Sequence, residues 1–318
     1  MNTQTIEESQ AKKMNTNVLS NFLRTPGGKN KLNAVSSDLY ESEDGGKYPV
    51  YEGVVCGIAE SERGGDLGDA KFYEDNPFGV RDWSNPTEIE AGVEKDLKDM
   101  LDQIPKDAMI ADIGAGSGRV SNLISLRGFK NVISVDYSLN SIKMVNKNSK
   151  NFCVWGNILD LPLASDSFDF VVCTGVIHHT PDPERAFSEC CRIVKPGGKF
   201  YMKVRNLWSP YGILFYTYGS FLRFFYKIPA LKWISDLFGF QVYRLTRSLF
   251  YSHLPKRPTD ELRGKFENLF IKKLITFFTT SQVKKMLKDN NMEILHGRKT
   301  EITHWQHFYV SKKVKPSL

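Results

Sequence analysis

The sequence predicts an α/β fold: a doubly wound, mostly parallel sheet with an aromatic-rich helical insertion. Three observations carry this. Short apolar runs alternate with amphipathic stretches between residues 107 and 206, the pattern of strands feeding helices. The run Phe168 to Thr174 is nearly continuously apolar, as a parallel strand buried on both faces requires. A glycine loop, Asp112-Ile113-Gly114-Ala115-Gly116-Ser117-Gly118, falls where a strand hands over to a helix.

The elements follow in order. Asn85-Pro86-Thr87-Glu88 opens a helix, with Asn as cap and Pro in the first turn. Ile89, Val93, Leu97, Met100, Leu101 and Ile104 then recur at helical spacing, so one helix buries one face. Ala108-Met109-Ile110-Ala111 leads into the glycine loop, and Arg119 to Leu126 is the amphipathic helix after it. Val132-Ile133-Ser134-Val135-Asp136 is a second strand and Phe152 to Ile158 a third. After the fourth strand, Lys195-Pro196-Gly197-Gly198 ends a helix and Lys199 to Val204 forms the fifth. Ligands in such sheets lie beyond the carboxyl ends of the strands.

The loop chemistry narrows the ligand. Gly114, Gly116 and Gly118 let backbone pass against a ligand with no Cβ in the way, and Asp112 can answer a positive charge. A dinucleotide fingerprint needs G-x-G-x-x-G, but here the spacing is G-x-G-x-G and Arg119 stands where its last glycine belongs. An ordinary strand-to-helix turn is the bland alternative. Asp136 ends its strand where a carboxylate can accept from two ribose hydroxyls, and Asn157 can bond an adenine edge. A cation-bearing nucleotide-like cofactor, S-adenosylmethionine, fits this set.

Residues 107–206 resemble a class I S-adenosylmethionine-dependent methyltransferase. The matching segments are Asp112–Gly118, Val135–Ser138, Gly156–Pro162, Asp166–Asp169, His178–Pro183 and Val194–Gly198. The resemblance is closest to quinone-biosynthesis and natural-product methyltransferases and implies a Rossmann-like core spanning residues 85–206. It also implies that residues 279–318 supply the final helix and an antiparallel C-terminal hairpin, completing a mostly parallel seven-stranded sheet. By the same resemblance, the three glycines line the methionine and ribose, with Asp112 near the cofactor's amino group. Asp136 takes the ribose hydroxyls, Tyr137 covers an adenine face, and Asn157 with the backbone of Ile158 meets the adenine. Thr174 belongs to the same cofactor-binding set. The family usually has Asp where this chain has Asn157.

Two segments lie outside that core. Residues 1–20 are polar and predicted disordered. Within residues 21–84, the stretch from Phe22 to Val55 resembles a degenerate zinc-ribbon module of the kind attached to methyltransferases. Thr25 and Gly28 stand where its first cysteines belong, so no zinc site is expected; a plain irregular arm is the alternative. Lys71 to Gly79 is positioned to fold over the cofactor. Residues 207–278 form an insertion dense in aromatics, among them Trp208, Phe221, Phe224, Trp233 and Phe238. Its longest uncharged run, Leu207 to Leu222, is too short to span a bilayer. Basic residues alternate with the aromatics, which suits a lid, a packed cap, or peripheral contact with an anionic membrane.

Charge and cysteines bound the remaining classes. Residues 1–200 carry 22 basic and 29 acidic groups, whereas residues 201–318 carry 21 and 7. A basic end alone makes nucleic acid an unlikely partner here, because no RNA-binding module is visible. Nucleobase amino-methyltransferases also typically carry an Asn/Asp-Pro-Pro-aromatic quartet where this chain has Thr174-Gly175-Val176-Ile177. Five unpatterned cysteines and no signal peptide point to the cytoplasm. Methyl transfer needs alignment, desolvation and sometimes proton removal. His178, just past the fourth strand, is the candidate base, a turn-capping histidine being the alternative. The predicted function is methyl transfer to a small, apolar or lipid-like acceptor. A non-catalytic cofactor-binding partner or regulatory subunit is the alternative.

Overall fold

The computed structural model describes residues 19–63, 83–245, 259–271, 275–299 and 306–314. Of the tail expected to be disordered over residues 1–20, residues 1–18 lie outside the described residues, as does the cofactor-covering stretch Lys71 to Gly79, whereas residues 19–20 are helical and Leu19 is buried. The chain divides into two compact units. The first comprises Met1–Val204, Ser281–Arg298 and Phe308–Leu318, the second Arg205–Thr280 and Lys299–His307.

The first unit is built on a mostly parallel sheet. Its core strands are β5 (Met109–Ile113), β6 (Asn131–Asp136), β7 (Phe152–Trp155), β8 (Phe168–Thr174) and β9 (Val194–Arg205). Two further strands, β10 (Met292–Lys299) and β11 (Gln306–Lys313), follow the last helix. The spatial order runs β7-β6-β5-β8-β9-β11-β10, so strand order reverses between β5 and β8. Pairing of β5 with β6 and β8, of β6 with β7, and of β8 with β9 is parallel throughout. All five β5 side chains are buried, as expected for a strand covered on both faces.

The sheet holds eleven strands rather than the seven expected from sequence. The additional four are β1 (Leu32–Ser36), β2 (Leu39–Ser42), β3 (Lys47–Tyr51) and β4 (Val54–Cys56), an antiparallel meander. Strand β4 then pairs in parallel with β7 through Val54↔Cys153, Val55↔Val154 and Cys56↔Trp155. The N-terminal stretch is therefore neither an irregular arm nor a separate module. It continues the core sheet and covers the backbone edge that β7 would otherwise present to solvent. Upstream, Leu23 is fully buried and bridges Leu163, with Arg24 N–H donating to the Pro162 carbonyl at 2.9 Å.

Hydrogen bonds close the turn that resembles a zinc knuckle. Thr25 N–H donates to the Asn30 carbonyl at 2.8 Å, and Asn30 N–H to Thr25 Oγ1 at 3.0 Å. The Asn30 side chain then reaches Asp44 at 3.2 Å in the β2–β3 turn. Among the described residues no group of three or more His, Cys, Asp or Glu is placed to hold a metal.

One expected helix is two. The segment from Pro86 forms α1 (Pro86–Gly92) and α2 (Lys95–Asp102), broken at Val93 and Glu94. The cap is as read: Asn85 Oδ1 accepts from Thr87 N–H at 3.0 Å. Ile89, Val93, Leu97, Leu101 and Ile104 are all buried, so the apolar face survives the break. Two contacts are made at the break. A Cβ on Gly92 would stand 2.6 Å from the Trp83 ring, and the Gly92 carbonyl accepts from Arg119 at 2.8 Å instead of continuing the helix. These helices pack with α3 (Arg119–Leu126) on one core that includes Ile110, Val132, Phe170 and Val172. On another cluster, Ile142 and Val145 of α4 (Leu139–Asn148) pack with Val54 and Cys153.

The second unit is helical: α6 (Pro210–Tyr216), α7 (Tyr218–Tyr226), α8 (Lys232–Ser235) leading into a π-helical turn (Asp236–Gln241), and α9 (Thr259–Phe266). In the first unit, α5 (Pro183–Ile193) precedes β9 and α10 (Thr280–Asp289) precedes β10. The second unit has its own core of Tyr211, Phe215, Leu222, Phe240, Phe266, Phe270 and Phe277. Arg223 turns inward across it, donating to the carbonyls of Phe270 (2.8 Å) and Phe215 (2.9 Å). Among the described residues, seven of the insertion's aromatics are buried. No helix among the described residues is long and apolar enough to cross a membrane.

Candidate active site

The carboxyl ends of β5, β6 and β7 converge because the loop after β5 folds back onto β6. Gly114 and Ala115 N–H groups donate to the Val135 carbonyl at 2.8 and 3.0 Å. Gly114, Gly116 and Gly118 all have positive φ (72°, 54° and 105°), a region that L side chains rarely enter. Their surroundings differ. A Cβ on Gly114 would lie 2.2 Å from Val176, so this glycine lets the loops after β5 and β8 touch. A Cβ on Gly116 would meet nothing within 4 Å, so there the loop leaves open space.

Asp136 organises the other side of that space. Its Oδ2 accepts from Gly116 N–H at 2.7 Å and its Oδ1 from Ser138 N–H at 2.8 Å. A carboxylate has about four acceptor positions, and these two amides fix its orientation. Its carbonyl accepts from Gly156 N–H at 2.9 Å, which ties the end of β7 to β6. Tyr137 is half-buried, and its carbonyl is held by Trp155 Nε1 at 2.7 Å. Asn157 is buried; its Oδ1 accepts from Leu159 N–H at 2.9 Å, capping a turn that begins with half-buried Ile158. The cap occupies one lone pair of that oxygen and leaves the amide donors for a base edge.

Asp112 lies deeper than the glycines. It is 1% exposed, and Ser121 Oγ donates to it at 2.6 Å. Burial pushes its carboxyl up to about 6, against the opposing pull of Ser121 and Arg119. A cation nearby would favour the ionised form.

A cluster absent from the sequence expectations stands beside this site. Glu94, in the break between α1 and α2, accepts from Lys203 of β9 with one oxygen and from Arg119 with the other, at 3.2 Å. Arg119 also reaches Thr174 Oγ1 at 3.4 Å, at the end of β8. Burial pushes the Glu94 carboxyl up, but Arg119 and Lys203 outweigh it and bring it down to about 2. Two cations share one carboxylate here, next to an expected cofactor residue. The only sequence signal was Arg119 in the place of a glycine.

His178 sits in the turn Ile177–His179 after β8, as expected, but its ring is 1% exposed rather than at an open rim. Its ring packs 4.4 Å from that of half-buried His179. The sequence-expected residues Asp112, Gly114, Gly116, Gly118, Asp136, Tyr137, Asn157, Ile158 and Thr174 all lie on the loops and strand ends of one sheet edge.

The chain is similar to known proteins over part of its length. Residues 111–202 match a family model described as "Methyltransferase domain". A stretch of 101 residues is 37% identical to an uncharacterized protein of Methanocaldococcus jannaschii, covering 32% of this chain and 42% of that one. Ubiquinone biosynthesis O-methyltransferases of Leptothrix cholodnii and Chromobacterium violaceum are 25% and 32% identical over 168 and 117 residues. Those alignments cover 46% and 33% of this chain, and 70% and 50% of the relatives. Among solved structures, magnesium protoporphyrin IX methyltransferase from Synechocystis is 13% identical with a TM-score of 0.46, covering 78% of this chain and 98% of that one.

The fold and the matched segment define a class I S-adenosylmethionine-dependent methyltransferase. Residues 111–202 carry a methyltransferase domain whose cofactor is S-adenosylmethionine, and the chain spans between 42% and 70% of the length of the curated relatives described above. The residues present suit that group: open backbone at Gly116, a preorganised carboxylate at Asp136, and a buried acid at Asp112.

Proposed function

We propose that this chain transfers a methyl group to a small, apolar or lipid-like acceptor by direct displacement. The carrying observation is the pairing of Gly116 N–H with Asp136, which presents open glycine backbone and a ribose-binding carboxylate side by side. When bound, S-adenosylmethionine supplies an electrophilic methyl group on a sulfonium centre.

The chain's own groups then have defined tasks. Asp136 accepts from the two ribose hydroxyls while the Gly116 and Ser138 amides hold it in place. Asn157 and the backbone of Ile158 meet the adenine, with Tyr137 against its face. Asp112 answers the positive charge of the amino-acid end. The Gly114–Val176 contact holds the loop after β8 against the glycine loop, so His178 is carried on a segment packed next to the site. We assign His178 the removal of a proton from the acceptor atom, where that atom carries one.

The preference for an apolar acceptor rests on the aromatic composition of residues 207–278. The ubiquinone-biosynthesis enzymes among the relatives, which act by name on oxygen, point the same way. A methyl-label transfer screen against lipid, quinone-like and polar metabolite extracts tests the reading. Label entering the lipid or quinone-like fraction supports it; label confined to polar metabolites refutes the acceptor class.

A further inference from the structure

The helices of the second unit bury one aromatic face and leave another in water. Phe221 and Phe224 of α7 are 45% and 61% exposed, Trp233 of α8 is 59%, and Phe238 of the π turn is 50%. Phe221, Phe224 and Phe238 are joined by contacts. Phe221 packs on Phe225 at 4.8 Å and Phe225 on Phe224 at 5.2 Å, while Tyr218 stacks on Phe221 and donates its hydroxyl to the Phe238 carbonyl. Connected apolar patches of this kind mark an interaction site rather than ordinary surface.

The charge around the patch selects the partner. Lys227, Lys232 and Arg244 of the same helical unit are exposed, and Lys232 Nζ lies 4.6 Å over the Tyr226 ring. The single acidic residue between 207 and 245 is Asp236, and Arg263 neutralises it at 2.8 Å. An isologous contact with a second copy would bring these cations against themselves. Exposed aromatics beside exposed lysines, with Asp236 paired to Arg263 and Glu267 held by the Tyr226 hydroxyl at 3.1 Å, fit the boundary between anionic headgroups and acyl chains.

We propose that the face formed by α7, α8 and the π turn docks peripherally on an anionic lipid bilayer. Phe221, Phe224, Trp233 and Phe238 enter the headgroup–acyl boundary, and Lys227, Lys232 and Arg244 meet the anionic headgroups. This goes beyond the acceptor assignment, and its test reads membrane partition rather than turnover, so either can fail alone.

The full chain is sedimented with phosphatidylcholine vesicles containing or lacking phosphatidylglycerol, at low and high salt. Binding is expected to the anionic vesicles only, weakening as salt rises. The Lys227→Glu/Lys232→Glu variant loses roughly fivefold or more per lysine. A Phe224→Ser/Trp233→Ser variant loses about tenfold or more, having removed two exposed rings. Both variants keep the parent circular dichroism and melting temperature, because neither position is in the core. Trp233 fluorescence is quenched by brominated lipid, and the quenching falls in Trp233→Phe. Absence of binding to anionic vesicles overturns the proposal, as does unchanged binding by both double variants. Self-association lost in the Phe224→Ser/Trp233→Ser variant, without vesicle binding, also overturns it and assigns the face to a second copy.

Discussion

Lys203 of β9 and Glu94 of the α1–α2 break, 109 residues apart in sequence, form a hydrogen-bonded ion pair. The Lys203 side chain is 10% exposed and that of Glu94 33%, so the pair is partly withdrawn from water. With Arg119 on the second oxygen, it links the helix break, the glycine-loop helix and the end of β9. Removing one member strands the others, which is costlier than losing a surface pair.

Glu94 is expected to set acid stability. Its folded carboxyl lies near 2 against an ordinary value of 4.5, so its stabilisation is present above pH 4.5 and is lost as pH falls through 2. Because the side chain is one-third exposed, the screened contribution is about 1–3 kcal/mol. Glu94→Gln should therefore lower the melting temperature at pH 7 and lose the difference from the parent near pH 2, as read by thermal melts across pH.

Asp112 works in the opposite direction. Its folded value of about 6 exceeds the ordinary 3.8, so the apo protein loses stability as pH rises from 3.8 to 6. The span corresponds to about 3 kcal/mol. Asp112→Asn should flatten that dependence in urea titrations. A cationic ligand beside Asp112 favours its ionised form, so the parent should bind S-adenosylmethionine more tightly as pH rises through 6. Calorimetric titration checks this, and a flat profile in the parent would remove Asp112 from the amino-group contact.

The glycines should separate by phenotype. Gly114→Ala drives a Cβ into Val176 and is expected to destabilise the fold by more than 1–2 kcal/mol, about the cost of the backbone strain alone. Gly116→Ala meets open space, so it should cost only that strain, about 1 kcal/mol, while weakening cofactor binding at least tenfold. Melting curves and calorimetry on the two variants measure the contrast.

Asp136→Ala should abolish measurable cofactor binding, since it removes both the diol acceptor and the anchor of Gly116. His178→Gln should leave binding intact. If His178 takes the proton, turnover falls about 100-fold or more; turnover close to the parent's would leave it a packing residue, consistent with its burial.

Metal chelators are expected to leave the melting curve unchanged. The turn at Thr25 is closed by hydrogen bonds to Asn30. A downward shift on chelation would show a metal contribution to the fold.

Local chemistry was readable before any coordinates. Three glycines between Asp112 and Arg119 specify a positive-φ loop because side chains are excluded there, and Asn85-Pro86 specifies a helix start through its cap. Continuous apolar runs announce strands buried on both faces, as β5 and β8 are. What folding added was long-range. The parallel pairing of β4 with β7 runs through backbone hydrogen bonds, which carry no side-chain signature, so the meander's place on the sheet could not be read. Trp83 and Arg119 meet Gly92 at the split of the first helix, and the Glu94–Lys203 pair joins segments 109 residues apart, neither of which the local sequence announces. The depth of His178 and the division of the insertion's aromatics between core and water were likewise set by packing, because composition states which residues are apolar but not which find a partner.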